Sequence, residues 1–111
     1  MNTLRNRVQL IGNLGANPEI KEFEGGKKLA RFSIATTDTY KNDQGEKVQD
    51  TTWHNVVAWG KLAETVGTYL TKGNEIAVEG KLTNRSWEAK DGSKKYITEV
   101  VMNEMVMLKT K

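Results

Sequence analysis

Apolar residues recur at every second position over most of this chain, and the period of two breaks only once. Leu4, Val8, Leu10 and Leu14 share one parity while Arg5, Arg7 and Gln9 take the other, so the first segment reads as a half-buried strand with a basic outer face. Gly12 interrupts that apolar series and predicts a bulge. Gly15-Ala16-Asn17-Pro18 reads as a turn. Strands are then expected over Glu19 to Phe23 and Lys28 to Thr37, separated by the hairpin signal Gly25-Gly26. In the second of these, Ala30, Phe32 and Ile34 share a face. The polar stretch from Lys41 to Gln49, with Asn42-Asp43-Gln44-Gly45 at its centre, predicts a mobile hairpin tip, and strand character resumes from Thr51 to Trp59. The break in period comes next: Leu62, Val66, Tyr69 and Leu70 fall at helical spacing, with Gly73 just beyond as a stop. Ile76, Val78 and Leu82 restore the period of two, Asp91-Gly92 marks a further hairpin, and Tyr96 to Val101 returns as a strand.

Strands, one helix, then strands again is the order of an all-β, five-stranded Greek-key barrel with one short α-helix between its third and fourth main strands, the oligonucleotide-binding fold. An SH3-like barrel is the alternative, though a helix of this length in that place is unusual for it. The 111 residues fit a single domain, 1–111, and no Pro-rich linker, charge block or repeat divides them. Absence of cysteine excludes disulfides and thiolate metal sites. The lone histidine, His54, cannot assemble a typical zinc site, and no metal or cofactor is expected. The N-terminus lacks the apolar run of a secretory signal and no stretch approaches the roughly 20 apolar residues of a membrane span, so a soluble cytoplasmic protein is expected. The net charge of +3 is compatible with a polyanionic partner and does not by itself identify one.

The sharper signal is aromatic. Tyr40, Trp53, Trp59 and Trp87 stand in polar, strand-like stretches dotted with lysine and arginine. Flat rings interleaved with cations are what a surface needs to stack unpaired bases while neutralising the phosphates between them. Trp53 and Trp59 share a parity with Asn55 and Val57, so both point the same way, toward either the core or solvent. Trp87 is flanked by Arg85, Ser86, Glu88, Lys90 and Asp91, the setting of an exposed hairpin.

Gly12-Asn13-Leu14-Gly15 with Pro18-Glu19, the run from Trp53-His54-Asn55 through Trp59-Gly60-Lys61-Leu62-Ala63-Glu64, Tyr69-Leu70-Thr71-Lys72-Gly73 and Val78-Glu79-Gly80-Lys81-Leu82 together resemble the bacterial single-stranded DNA-binding proteins, in family order over nearly the whole chain. The resemblance implies an oligonucleotide-binding barrel, usually a homotetramer, that coats single-stranded DNA during replication, recombination and repair. Carried over by position, it makes Trp53, Trp59 and Trp87 base-stacking residues. Tyr40 matches a fourth such position, often tryptophan, and position 59 is commonly phenylalanine. Lys61, Lys72 and Arg85 match basic positions along the strand's path, and Arg5 and Arg7 lie where the family's N-terminus is basic. Lys81 and Lys95 join them on parity and local charge alone. The family usually continues into a flexible linker and an acidic tip that recruits replication and repair proteins. Here the sequence closes on Met107-Leu108-Lys109-Thr110-Lys111, so binding of single strands at full strength is expected without that recruitment.

Other chemistries find less support. His54 faces away from Trp53 with no nucleophile near it in sequence, and reads as a packed or interface residue. No glycine-rich piece forms a nucleotide-phosphate loop. Asp38, Asp43 and Asp50 surround one polar loop and would serve a metal-dependent nuclease, the rival from another class, although solvated loop carboxylates fit better. An RNA-binding or primosome-type barrel is the rival within binding. Met102, Met105 and Met107 mark an apolar segment for core or subunit contact.

Overall fold

In the computed structural model, which describes residues 5–109, six strands and one helix follow in the order β1 (Val8–Leu14), β2 (Glu19–Glu22), β3 (Lys28–Lys41), β4 (Lys47–Trp59), α1 (Lys61–Tyr69), β5 (Glu75–Glu88) and β6 (Lys94–Lys109). Leu4, expected to point inward, lies outside the described residues, as do Thr110 and Lys111. The sheet order is β1-β5-β6-β4-β3-β2, and pairing of β1 with β3 closes the five long strands into a barrel. All neighbours are antiparallel except β4 and β6, which meet in parallel at Val56 and Val57 opposite Val100 and Val101. The four-residue β2 is an added edge on β3, and the helix falls between β4 and β5, the third and fourth of the long strands.

Alternation puts Ala30, Phe32 and Ile34 of β3, Val56 and Ala58 of β4, and Ile76 and Val78 of β5 inside, with Val100 and Met102 of β6. Each fully buried aliphatic side chain contributes roughly 1.5–3 kcal/mol relative to exposure. The helix closes one mouth of the barrel with Ala63 and Val66, and Leu70 at its end completes the plug. Tyr69, counted with these by spacing, faces solvent instead. The helix ends before Gly73, whose N–H donates to Leu14 O while the Leu14 N–H donates to Asn74 O, so the turn after the helix is tied to the end of β1.

Three expectations change. No bulge occurs at Gly12: β1 stays in register with β5 from Val8–Gly80 to Asn13–Glu75. The glycine is needed for a different reason, since a Cβ there would lie 2.2 Å from the Ala35 carbonyl oxygen where β1 crosses from β5 onto β3. The register shifts lie instead in the β5–β6 pair: Glu79 faces Glu104 and Gly80 faces Met102, leaving Asn103 as an extra residue, and Glu75 faces Lys109 while Ile76 faces Met107, leaving Leu108 as another. Asn103 inverts the parity of β6, so Met102 before it and Met105 and Met107 after it all reach the core despite their uneven spacing. Finally, the expected hairpin tip of residues 41–49 shrinks to residues 42–46, because β3 and β4 continue as a ribbon through Thr37–Thr51 and Tyr40–Val48 to Lys41–Lys47. Leu82 keeps inward parity and is exposed all the same, since the β5–β6 ribbon has left the barrel there.

Candidate nucleic-acid interface

Trp53 and Trp59 lie on the outer face of β4, opposite the buried Val56 and Ala58, and are 59% and 48% exposed. Both therefore point to solvent and not into the core. Between them on the same face are Asn55 and Val57, the latter buried in the floor of a groove. The groove runs over Arg31 and Ser33 of β3 and Ile97 and Glu99 of β6, with Ala16 and Asn17 of the β1–β2 loop as one wall. That wall is fixed from two sides: the Gly15 N–H donates to Ser33 O at 3.2 Å, and Asn17 Oδ1 accepts the Lys72 N–H at 2.8 Å.

Each tryptophan has its own seat. The Trp53 ring rests on Gly15, where a Cβ would meet its six-membered ring at 2.4 Å, so only glycine leaves room for the indole to lie down. Trp59 is stacked on Phe23 of the β2–β3 turn, with centroids 6.1 Å apart and planes at 26°. Lys27, Lys28 and Gly60 line the recess beside it. Trp87 is 46% exposed on the β5–β6 hairpin, and the Arg85 guanidinium lies 5.7 Å from its ring centroid.

Register joins these rings into one surface. From Val57 the outer face passes to its parallel partner Val101, then to Lys81, and outward along the hairpin through Thr83–Glu99, Arg85–Ile97 and Trp87–Lys95. Lys81 and Lys95 are exposed on that face, and Lys61 is exposed at the first position of α1, two residues after Trp59. Lys72 is exposed on the turn after the helix, beside the groove wall that its backbone holds. Three predicted residues stand apart. Tyr40 is exposed far out on the β3–β4 ribbon and shares its parity with Ile34, not with Ala35, the residue opposite Trp53. Arg5 is exposed ahead of β1. Arg7 faces outward and is spent on an ion pair with Glu79, which also accepts from Gln9 at 3.2 Å. Arg7 foremost and Gln9 next hold the Glu79 carboxyl below its usual range.

Arg85 is paired as well, through Nε to Glu99 Oε1 at 2.8 Å and Nη2 to Oε2 at 3.1 Å, and this contact raises its already high pKa. Residue-by-residue inspection of the sequence missed Glu99, Phe23 and Gly15. A signal existed for Glu99, a lone carboxylate on the outward parity of β6 between Ile97 and Val101. Asp38 and Asp50 are cross-strand partners in the ribbon, and among the described residues no three acidic, cysteine or histidine side chains come together as a metal site.

A closed Greek-key barrel whose outer face carries exposed indoles among cations defines a binder of single-stranded nucleic acid. Residues 5–108 match the single-strand binding protein family, and the chain belongs to it. It is 51% identical to "Single-stranded DNA-binding protein 1" of Xylella fastidiosa over 93% of this chain and 76% of that one. The protein of the same name from Chlorobaculum tepidum is 45% identical over 96% of this chain and 66% of its own length. Other relatives, such as that of Neisseria meningitidis, are covered over only 59% of theirs. Among solved structures, "Plasmodium falciparum SSB complex with ssDNA" superposes with a TM-score of 0.85 at 33% identity, covering 98% of this chain and all of that one.

Proposed function

We propose that residues 1–111 act as one domain that coats single-stranded DNA with little regard for sequence, in replication, recombination and repair. The observation that carries this is the exposure of all three tryptophans on one continuous outer face studded with lysines. Bases of any identity stack on an indole, and Lys61, Lys72, Lys81 and Lys95 lie where phosphates between stacked bases would pass. Arg5 and Tyr40 serve the outer reaches of the strand's path. No bond is made or broken by such binding, and we read the chain as a non-enzymatic protein working alongside the DNA in the cytoplasm.

Self-association into a homotetramer belongs to the same reading. Across its second edge β1 meets β3 at Asn13 and Leu14, and among the described residues nothing else pairs there, so Val8 to Gly12 offers open backbone groups to another copy. Beside that edge, Ile11, Val106 and Leu108 form an exposed aliphatic face on β1 and β6. Addition of poly-dT is expected to quench most of the tryptophan emission. Unchanged emission where a gel shows a complex would remove the indoles from the contact.

A further inference from the structure

The groove offered to a polyanion has a carboxylate in its floor. Glu99 is 5% exposed and lies on the same outer face as Trp53 and Trp59. A buried carboxylate is costly unless it is paired and hydrogen-bonded. Its partner is Arg85, one strand over and diagonally offset, which is within reach of a long side chain. The contact is bidentate, engaging both Glu99 oxygens, and fixes the plane of the guanidinium as a single bond would not. Held this way, Arg85 lies against the Trp87 ring. Two of its five N–H donors and its whole charge are committed to Glu99 before any DNA arrives.

The geometry points to Glu99 as a positioning residue that decides what this stretch of the groove accepts: it holds Arg85 against Trp87 and cancels its charge, so the site takes a nucleobase by stacking and does not take a phosphate. This rests on the stacking function proposed above, and gives the β5–β6 hairpin a different part in it from that of Lys61 or Lys81, whose charges have no such partner among the described residues.

The test is the salt dependence of binding to oligo-dT, followed by tryptophan fluorescence, for the unsubstituted chain, Glu99→Gln, and Glu99→Gln with Arg85→Gln. Releasing Arg85 is expected to add about one phosphate contact, steepening the slope of log K against log salt by about 0.7 for a single strand. The double variant should return to the original slope. Glu99→Leu, apolar and similar in volume, provides the same released cation if the amide disturbs folding. A purely structural carboxylate would move the melting temperature and leave the slope alone. A slope unchanged or shallower in the single variants, or equally steep in the double variant, overturns the role given to Glu99. Quenching in the unsubstituted chain is a separate readout: its absence removes base stacking itself, whereas normal quenching with an unaltered slope removes only the assignment of Glu99.

Discussion

The outer faces of β5 and β6 change character on either side of Gly80. Toward the hairpin they carry Lys81, Arg85, Lys95 and Trp87, one ring among cations. Toward the other end they carry Ala77, Val106 and Leu108, joined by Ile11 of β1, with the nearby charge of Arg7 closed off by Glu79. Both halves expose apolar surface, yet of different kinds. A ring set among cations, of which Lys81 and Lys95 have no ion-pair partner among the described residues, suits a ligand that alternates base and phosphate. Contiguous branched aliphatics, beside the Arg7–Glu79 pair and the exposed carboxylate of Glu104, suit another protein surface, since nothing in them compensates a phosphate.

The strongest way to break this comparison is to charge the aliphatic half. Ile11→Glu or Val106→Glu would place an unpaired carboxylate in the proposed subunit contact, at a cost of about 3–5 kcal/mol. Light scattering should then fall from about four chains toward one or two, with tryptophan quenching by poly-dT retained on each barrel. An assembly that survives both changes would leave the aliphatic face without a partner.

The aromatic half should respond in the opposite sense. Trp53→Ala and Trp87→Ala should each weaken binding by about 1–3 kcal/mol, alike across sequences, while mass and fold stay as they were. Unfolding of either variant would mean that its ring supports the barrel, contrary to its exposure. A smaller effect belongs to Lys61→Ala, which should lower the salt slope by about 0.7 and weaken binding evenly across sequences. An unaltered slope would take Lys61 off the phosphate path.

The smallest effect tests the closed-off charge. Because Arg7 holds the folded-state pKa of Glu79 down, the pair's contribution is present above the unfolded value of about 4.3 and disappears as pH falls through the lower folded value. Denaturation midpoints of the unsubstituted chain and Glu79→Gln should therefore differ slightly at neutral pH and converge in acid. A difference that persists or widens in acid would show that the pair does not titrate this way.

Much of the barrel was legible because its inner strands alternate cleanly. Ala30, Phe32, Ile34, Val56 and Ala58 each read correctly as one face of a strand. The far ends of β3 and β4 were not, since Thr37 to Lys41 and Lys47 to Thr51 each hold a single apolar residue, Tyr40 and Val48, too few to set a period. Asn103 was invisible for a related reason: an extra residue in one strand exists only relative to its partner's register, which no local window contains. The candidate stacking aromatics stood out by type, but their orientation did not, because parity pairs Trp53 with Trp59 without saying which side is wet. Contacts such as Gly15 beneath Trp53 and Glu99 beside Arg85 join residues distant in sequence, and emerge only when the strands are laid side by side.

The added residue at Asn103 also acts as a phase shift. Were the strand regular there instead, with Asn103 taking a place in the ladder, the side chains after Met102 would swap sides together, turning Glu104 and Val106 into the barrel and Met105 and Met107 out of it. With it, Val101 and Val106, an odd number of positions apart, both keep to the outer side of one continuous strand, so the proposed groove and the proposed subunit contact each draw on that side. A single chain segment can thus be tuned twice, once for each audience.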